Sequence, residues 1–211
     1  MSTEISLRTL LEIQTQIRGL MALPGKMAAL VIDLDSPGGS WAEAEVMSAE
    51  LRQKRLEGVP KFVFVRGMAA SAGYQFAVAG VKIFCKRSSL LGCMGTHIER
   101  PKEEHLTTVV VATSGERKSG NTCKQSQSQL FEDTQDMADG IAQTFRDLVI
   151  ACKSGLVQEE FKNDALSGAM FHGVKAVHMG LSDDFYQGTL EESIAQQLGL
   201  NEEDIQFKKI Q

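Results

Sequence analysis

The spacing of hydrophobic positions alternates between helical and strand-like along the first half of the chain. Leucines and isoleucines at helical spacing predict an amphipathic helix over residues 4–19. The continuous apolar run at 27–34 is typical of a buried parallel strand, and 61–65 and 81–85 are further strand-like runs. A small-residue helix is expected over 71–80. This order predicts an α/β fold with right-handed crossovers and a largely parallel sheet flanked by helices.

The second half of the chain continues the same alternation with longer helical patterns. A β-branched strand is expected at 107–113, followed by a long helix at 123–152. Shorter elements follow: a helix at 158–166, a strand at 168–171, a turn and helix at 172–180, and a final helix at about 189–198. No internal repeat or low-complexity linker interrupts this pattern. We therefore expect residues 1–211 to form a single domain with its core at about 27–188.

Composition and charge narrow the possible partners. The net charge of -5 and the scattered Lys and Arg argue against nucleic acid as a partner, because phosphate binding needs clustered basic residues. The four cysteines are not spaced as CxxC pairs, so neither a zinc ribbon nor a thioredoxin motif is expected. The first residues lack the pattern of a signal peptide, and no apolar run has the length of a membrane span. The sequence predicts a soluble protein with reduced thiols, no membrane anchor, no cofactor and no metal.

The stretch "DSPGG", residues 35–39, follows the first strand and can be interpreted in two ways. Adjacent glycines can turn backbone N–H groups towards one point, and such groups form an oxyanion hole near a helix start. The alternative is an ordinary turn into the next helix. Ser40 and Glu43 have the spacing of a capping box, which predicts that this helix begins there and runs to about Leu56.

Ser71 lies in "RGMAASAGYQ", where Gly and Ala surround one hydroxyl group directly after a strand. A serine at a helix start is more often an N-cap than a nucleophile. A nucleophilic serine also needs a base to accept its proton. Lys118 in "SGERKSGN" and the four histidines are the candidates, and a solvated basic loop is the alternative role for Lys118.

The order of these motifs resembles the signal peptide peptidase A family of serine proteases, including its bacteriophage head-protease branch. The similarity extends over about residues 27–188 and includes "DSPGG", "AASAGY", "SGERK" and a C-terminal segment with spaced glycines and acids. The matching residues of that segment are Gly173, Ala176, Gly180, Leu181, Asp183 and Asp184.

This resemblance implies a role for each of four residues. Ser71 would be the nucleophile and Lys118 the general base, and the backbone N–H groups of Gly39 and Ala72 would form the oxyanion hole. The implied fold is the crotonase-like spiral ββα fold of the Clp protease proteolytic subunit. That subunit uses a Ser-His-Asp triad, but an ungapped alignment puts Met94 at the histidine position, and His97 lies three residues later. We therefore favour the lysine dyad and a structural role for His97.

Three departures from the family pattern remain. The chain opens with a helix where the family usually has an extra strand. Ala72 replaces the glycine that commonly follows the serine, and "GCMG" replaces a small Ser-containing turn, which brings Cys93 near the site.

The resemblance implies a serine endopeptidase that forms homo-oligomeric rings and cleaves protein or peptide substrates. The favoured context is trimming of scaffold or capsid proteins during phage head maturation, in the bacterial host cytoplasm or the procapsid. Alternatives are a soluble bacterial peptidase that degrades signal peptides or other peptides, and a non-catalytic assembly protein of the same fold. An acyl-CoA hydratase would share the glycine turn, but no catalytic carboxylate pair is evident in the sequence.

Overall fold

The computed structural model describes residues 3–24, 27–53, 56–80, 82–101, 109–114, 129–153, 161–206 and 208. The helices are α1 (Leu7–Met21), α2 (Trp41–Leu51), α3 (Ala72–Ala77), α4 (Gln129–Lys153), α5 (Lys162–Ala165), α6 (Gly173–His178) and α7 (Leu190–Leu198). The strands are β1 (Leu30–Ser36), β2 (Lys61–Ala70), β3 (Lys82–Cys85), β4 (Leu90–Gly92), β5 (His97–Pro101), β6 (Val109–Thr113), β7 (Met170–His172) and β8 (Asp184–Phe185).

Strand β2 is the centre of the main sheet. It pairs in parallel with β1 along one edge, and with β3 and then β4 along the other. The full order is β7-β4-β2-β3-β8 with β1 beside β2, and only β7 runs antiparallel to its neighbour. Strands β5 and β6 form a separate antiparallel pair. The largely parallel sheet that the hydrophobic pattern predicts is therefore confirmed.

A register shift near the end of β1 lets β2 change neighbours. Leu34 pairs with Val65, but Ser36 pairs with Ala69, so β2 has extra residues opposite Asp35. The Met68 N–H donates to Asp35 Oδ1 at 3.0 Å across this irregularity. The shift separates the part of β2 that pairs with β3 from the part that pairs with β4, and the latter leads directly to Ser71.

Helices cover both faces of the sheet. The larger core lies under α1, α2, α3 and α4 and includes Met47, Tyr74 and Phe145. The smaller core lies under α7, where Phe62, Phe64 and Phe84 pack against Ile194. Burial raises the pKa of Tyr74, and its hydroxyl donates to the Leu181 carbonyl at 2.8 Å. This hydrogen bond joins α3 to the segment that precedes β8.

Helix starts differ in detail from the sequence-based expectation. The capping box predicted at Ser40 and Glu43 is wrong, because the Ser40 side chain makes no capping hydrogen bond. A complete capping box is found instead at Thr189 and Glu192, where α7 begins. Helix α1 begins three residues later than predicted, with Ser6 Oγ accepting from the Thr9 N–H. The residues before it are extended, and Ile5 pairs with Gly39.

Candidate active site

Two strand-to-helix turns meet at the carboxyl ends of β1 and β2. The glycine turn, residues 36–40, leads from β1 into α2, and the serine turn, residues 70–72, leads from β2 into α3. A Cβ atom at Gly38 would lie 2.8 Å from the Ser71 Cβ and 2.9 Å from the Ala70 carbonyl oxygen. Only a glycine fits there, since its φ of 111° also disfavours side chains. "DSPGG" and Ser71, which the sequence separates, are therefore in contact.

Ser71 has an unusual backbone conformation for a residue with a side chain. Its φ is 53° and its ψ is -125°, and its N–H donates to the Gly92 carbonyl at 2.9 Å. The side chain makes no capping hydrogen bond to α3, although Ser71 occupies the N-cap position. A capping role of the hydroxyl group thus does not explain why a serine occupies this position. A sharp, strained turn between a strand and a helix is the arrangement that presents the nucleophilic serine in α/β-hydrolases.

The two predicted oxyanion-hole residues lie on either side of this contact. Ala72 is the first residue of α3, where backbone N–H groups have no intrahelical acceptor. Gly39 is exposed, and in the described part of the chain no backbone hydrogen bond uses its N–H. The glycine turn itself is held by the Gly38 N–H, which donates to Ser36 Oγ at 3.2 Å. Their role as oxyanion donors stays a prediction.

A cavity of about 100 Å³ opens beside Ser71. Three side chains of α4 form an apolar wall, and residues of α2, of the position after its end and of the start of α3 form the opposite side. Among the described residues, the lining consists of Trp41, Glu45, Arg52, Ser71, Ala72, Gln75, Gly95, Thr96, Ile141, Thr144, Phe145 and Leu148. The cavity is small and has an apolar wall, which suits a small or medium apolar side chain.

The predicted base, Lys118, lies outside the described residues. The nearest described residue before it is Ser114, whose backbone N–H donates to the Thr96 carbonyl at 2.9 Å. The Thr96 N–H in turn donates to Ser114 Oγ at 2.6 Å. Since Thr96 lines the same cavity as Ser71, the chain is fixed at the rim of the site four residues before Lys118.

His97, the alternative candidate for the base, has its interaction partner outside the cavity beside Ser71. It is exposed on β5, and its Nε2 lies 2.8 Å from Glu99 Oε1. His97 is not among the residues that line the cavity beside Ser71. The imidazole therefore has a carboxylate partner on its own strand, which agrees with the structural role that the sequence favours.

The cysteines Cys85 and Cys93 differ in environment. Burial raises the pKa of the Cys85 thiol, which keeps it protonated and unreactive. Cys93 is half buried and has a φ of 59°, and its N–H donates to the Ala169 carbonyl at 2.7 Å. It directly follows Gly92, the residue that accepts from the Ser71 N–H.

Within the described ranges, no group of three or more His, Cys, Asp or Glu side chains is placed to hold a metal ion.

Sequence comparisons find partial matches to longer proteins. No family model matches the chain. Protease 4 of Salmonella typhi is 36% identical over 102 residues, which is 48% of this chain and 16% of that protein. The Na(+)/H(+) antiporter NhaA of Brucella abortus (strain 2308) is 27% identical over 162 residues, 74% of this chain and 22% of that protein. The chain thus spans less than a quarter of these relatives.

Solved structures match over most of the chain. The 1510-N membrane-bound stomatin-specific protease superposes with a TM-score of 0.63 at 14% identity, covering 91% of this chain and 79% of that one. A second variant of it, in complex with a substrate peptide, gives 0.61 with 93% and 76% coverage. ClpP1 from Listeria monocytogenes gives 0.60 at 12% identity, with 89% and 90% coverage.

This chain is similar over about half of its length to Protease 4, and it has the fold of the stomatin-specific protease and of ClpP1.

The crotonase-like, Clp-like fold that the motif order implies is thereby confirmed. In the described ranges, none of the helices is both long and apolar enough to cross a bilayer. The match to the antiporter covers 22% of that protein.

Some residues of the site have no sequence motif that could have identified them. Ile5 contacts the glycine turn from a segment that the hydrophobic pattern assigns to a helix. Thr96 and the cavity-lining residues of α4 approach Ser71 only through the fold. The helical period predicts which face of α4 is apolar, but it does not predict what that face covers.

Proposed function

We propose that this chain is a serine endopeptidase in which Ser71 is the nucleophile and Lys118 is the general base. The observation that carries the proposal is the conformation of Ser71, which is strained, does not cap α3, and borders a cavity next to the glycine turn. Strain at a residue with a side chain persists where the surrounding structure holds it, and such sites cluster at active centres. The relationship to Protease 4 supports peptide-bond hydrolysis as the reaction.

The proposed reaction has two stages. Neutral Lys118 Nζ accepts the proton of Ser71 Oγ as the oxygen attacks the peptide carbonyl, and the N–H groups of Gly39 and Ala72 bind the resulting oxyanion. Lys118 then gives the proton to the leaving amine, which departs and leaves an acyl-enzyme. Water loses a proton to Lys118, attacks the ester and releases the acid, and the proton returns to Ser71.

The choice of Lys118 over His97 rests on two observations. His97 Nε2 is 2.8 Å from Glu99, and His97 does not line the cavity. The chain leading to Lys118 is anchored on Thr96, at the rim of that cavity. The two solved variants of the stomatin-specific protease replace a serine and a lysine with alanine, which agrees with a serine-lysine pair in that protein.

The cavity supports a preference for small or medium apolar side chains before the cleaved bond. Its wall is formed by Ile141, Phe145 and Leu148, and its volume is about 100 Å³. Glu45 and Arg52 are exposed residues of α2 that also border it. We propose that valine-sized or leucine-sized residues fit this cavity, whereas a tryptophan does not.

The proposed biological substrates are scaffold and capsid proteins of a phage head, cleaved in the host cytoplasm or the procapsid by a homo-oligomeric ring. The proposal rests on the motif order shared with phage head proteases. A general peptide-degrading role would use the same site. The two are separated by incubating the purified protein with the structural proteins of its own source and with unrelated unfolded proteins: discrete cuts in the former alone support head maturation.

The chemistry is tested with a fluorophosphonate probe, which reacts with activated serines. We expect labelling of wild-type protein at Ser71, identified by mass spectrometry, and none in Ser71→Ala. A wild-type protein that neither reacts with the probe nor cleaves peptides contradicts the proposed function and favours a non-catalytic assembly protein.

The base is tested by paired variants. Lys118→Ala should abolish cleavage, whereas His97→Ala should retain it, and the wild-type rate should rise with pH because the lysine must lose its proton to act as a base. Robust cleavage by Lys118→Ala would overturn the dyad and revive a histidine base. Mixing Ser71→Ala with Lys118→Ala tests whether the pair is shared between subunits: restored activity indicates that it is.

A further inference from the structure

The N-terminal segment, residues 3–5, lies beside the glycine turn, and Ile5 forms a parallel bridge with Gly39. The Thr3 N–H donates to the Asp35 carbonyl at 2.8 Å, and the Ile5 N–H donates to the Gly38 carbonyl at 2.7 Å. The Ser40 N–H donates back to the Ile5 carbonyl at 2.9 Å. Ile5 is only 2% exposed, so its side chain is anchored in the core while its backbone bonds to the turn.

These hydrogen bonds fix the two peptide groups that flank Gly39. In a planar trans peptide group, the C=O and the N–H point in opposite directions. The Gly38 carbonyl accepts from the Ile5 N–H, and therefore the N–H of Gly39, which belongs to the same peptide group, points away from the N-terminal segment. A Cβ atom at Gly39 would collide with the Ile5 carbonyl oxygen and would lie 2.9 Å from the Ile5 backbone nitrogen. The backbones of Ile5 and Gly39 are thus too close together for a side chain at position 39.

We propose that Ile5 is a positioning residue, which acts through its backbone to aim the Gly39 N–H at the oxyanion. This inference rests on the proposed function, because it assigns Gly39 to the oxyanion hole. Ile5 itself touches no substrate. A preorganised donor contributes to catalysis because it needs no reorientation when charge develops. If the N-terminal segment were released, the glycine turn would keep its sequence but lose the bonds that orient this donor.

The first test removes one of the two bonds from the side of the turn. Ser40 has a φ of -69°, which suits proline, and its side chain caps nothing. Ser40→Pro deletes the N–H that donates to Ile5 and places the proline ring against the Ile5 carbonyl, so that the N-terminal segment is displaced, whereas the matched variant Ser40→Ala keeps the N–H. We expect kcat to fall by about 10-fold to 100-fold in Ser40→Pro relative to Ser40→Ala, with KM within about twofold, because oxyanion donors act in the transition state.

The second test removes the other bond from the side of the N-terminal segment. Ile5→Pro deletes the N–H that donates to Gly38. Glu4→Pro introduces the same residue at a position whose N–H makes no backbone hydrogen bond with the described residues. We expect kcat to fall in Ile5→Pro and to stay at the wild-type value in Glu4→Pro, with both variants measured well below their unfolding temperatures.

Hydrogen exchange gives a readout that does not depend on activity. The Ser40 amide should be protected in wild-type protein and in Glu4→Pro, and should exchange faster in Ile5→Pro. Active wild-type protein together with an unchanged kcat in both Ser40→Pro and Ile5→Pro overturns this inference alone, and so does equal protection of the Ser40 amide in wild-type protein, Glu4→Pro and Ile5→Pro. Inactive wild-type protein overturns the proposed function instead, and can be recognised without any of these variants.

Discussion

The glycine turn after β1 and the serine turn after β2 lie side by side, yet they reach their conformations by different means. Gly38 and Gly39 have φ values of 111° and 137°, which cost glycine nothing. Ser71 has a φ of 53°, which costs a residue with a Cβ about 1–2 kcal/mol. A turn that offers only backbone N–H groups can use glycine. A turn that presents a hydroxyl group cannot, so it must carry strain that the neighbouring structure holds.

The largest expected effect comes from giving the glycine turn a side chain. Gly39→Ala forces a methyl group against the Ile5 carbonyl and a φ that alanine rarely adopts, and we expect kcat to fall by about 100-fold or more as the donor is displaced. Peptide cleavage rates measure this. Gly58→Ala is the matched control: Gly58 also has a positive φ, of 75°, but a Cβ there has nothing within 4 Å. If Gly39→Ala retains near wild-type kcat, Gly39 is not an oxyanion donor.

A smaller effect is expected from the cavity that the serine turn borders. Ile141→Ala enlarges the apolar wall, and the preference for phenylalanine over valine before the cleaved bond should increase by about tenfold, since a few methylene groups change discrimination by this amount. The ratio of kcat/KM values for two matched peptides measures it. Met137→Ala, an exposed position one turn earlier on α4, should leave the ratio unchanged. An unchanged ratio in Ile141→Ala would place the specificity pocket elsewhere.

The strain at Ser71 predicts a stability difference between two inactive variants. Ser71→Gly relieves the positive φ and Ser71→Ala does not, so the glycine variant should be more stable by about 1 kcal/mol. For a chain of this size, the unfolding temperature should then differ by about 2–4 °C. Thermal unfolding of both variants measures the difference. If Ser71→Ala is as stable as Ser71→Gly, the serine turn is not strained and the contrast between the turns fails.

The smallest effect concerns how each helix start is held. Thr189→Ala breaks a complete capping box and should cost about 1 kcal/mol of stability. Ser40→Ala should cost less than about 0.5 kcal/mol, because its side chain makes no capping bond and its backbone bonds to Ile5 remain. Denaturant unfolding of the two variants makes the comparison. An equal cost would mean that a side-chain cap contributes to the glycine turn after all.

The hydrophobic pattern predicted the sheet because buried parallel strands have continuous apolar runs, as in 27–34 and 61–65. It did not predict β4 or the pairing of Ile5, because both depend on backbone hydrogen bonds to residues distant in sequence. The order of the motifs correctly predicted that Ser71 and "DSPGG" lie close together. Local sequence carries no signal for the φ of Ser71 or for the register shift at Asp35, since those follow from how strands fit across the sheet.

The roles of Lys118, Gly39 and Ala72 and the extents of the domain remain predictions from the resemblance. Lys118 lies outside the described residues, so its proposed role depends on the motif and on the anchored approach through Ser114. The long helix predicted at 123–152 corresponds to α4 over its described part. The capping box was misassigned because Ser40 and Glu43 have the right spacing, but the backbone of the glycine turn, and not a side chain, holds that helix start.

The hydrogen bond from the Ser71 N–H to Gly92 has a consequence for the timing of synthesis. Gly92 lies on β4, which pairs with β7, and a Cβ atom at Gly92 would lie 2.5 Å from the Ala169 carbonyl oxygen. The serine turn therefore rests on a strand whose outer neighbour leaves the ribosome late, long after Ser71 itself. A nascent chain that already contains the nucleophile lacks this support. The conformation of the serine turn thus becomes complete only after residues 170–172 have been synthesised.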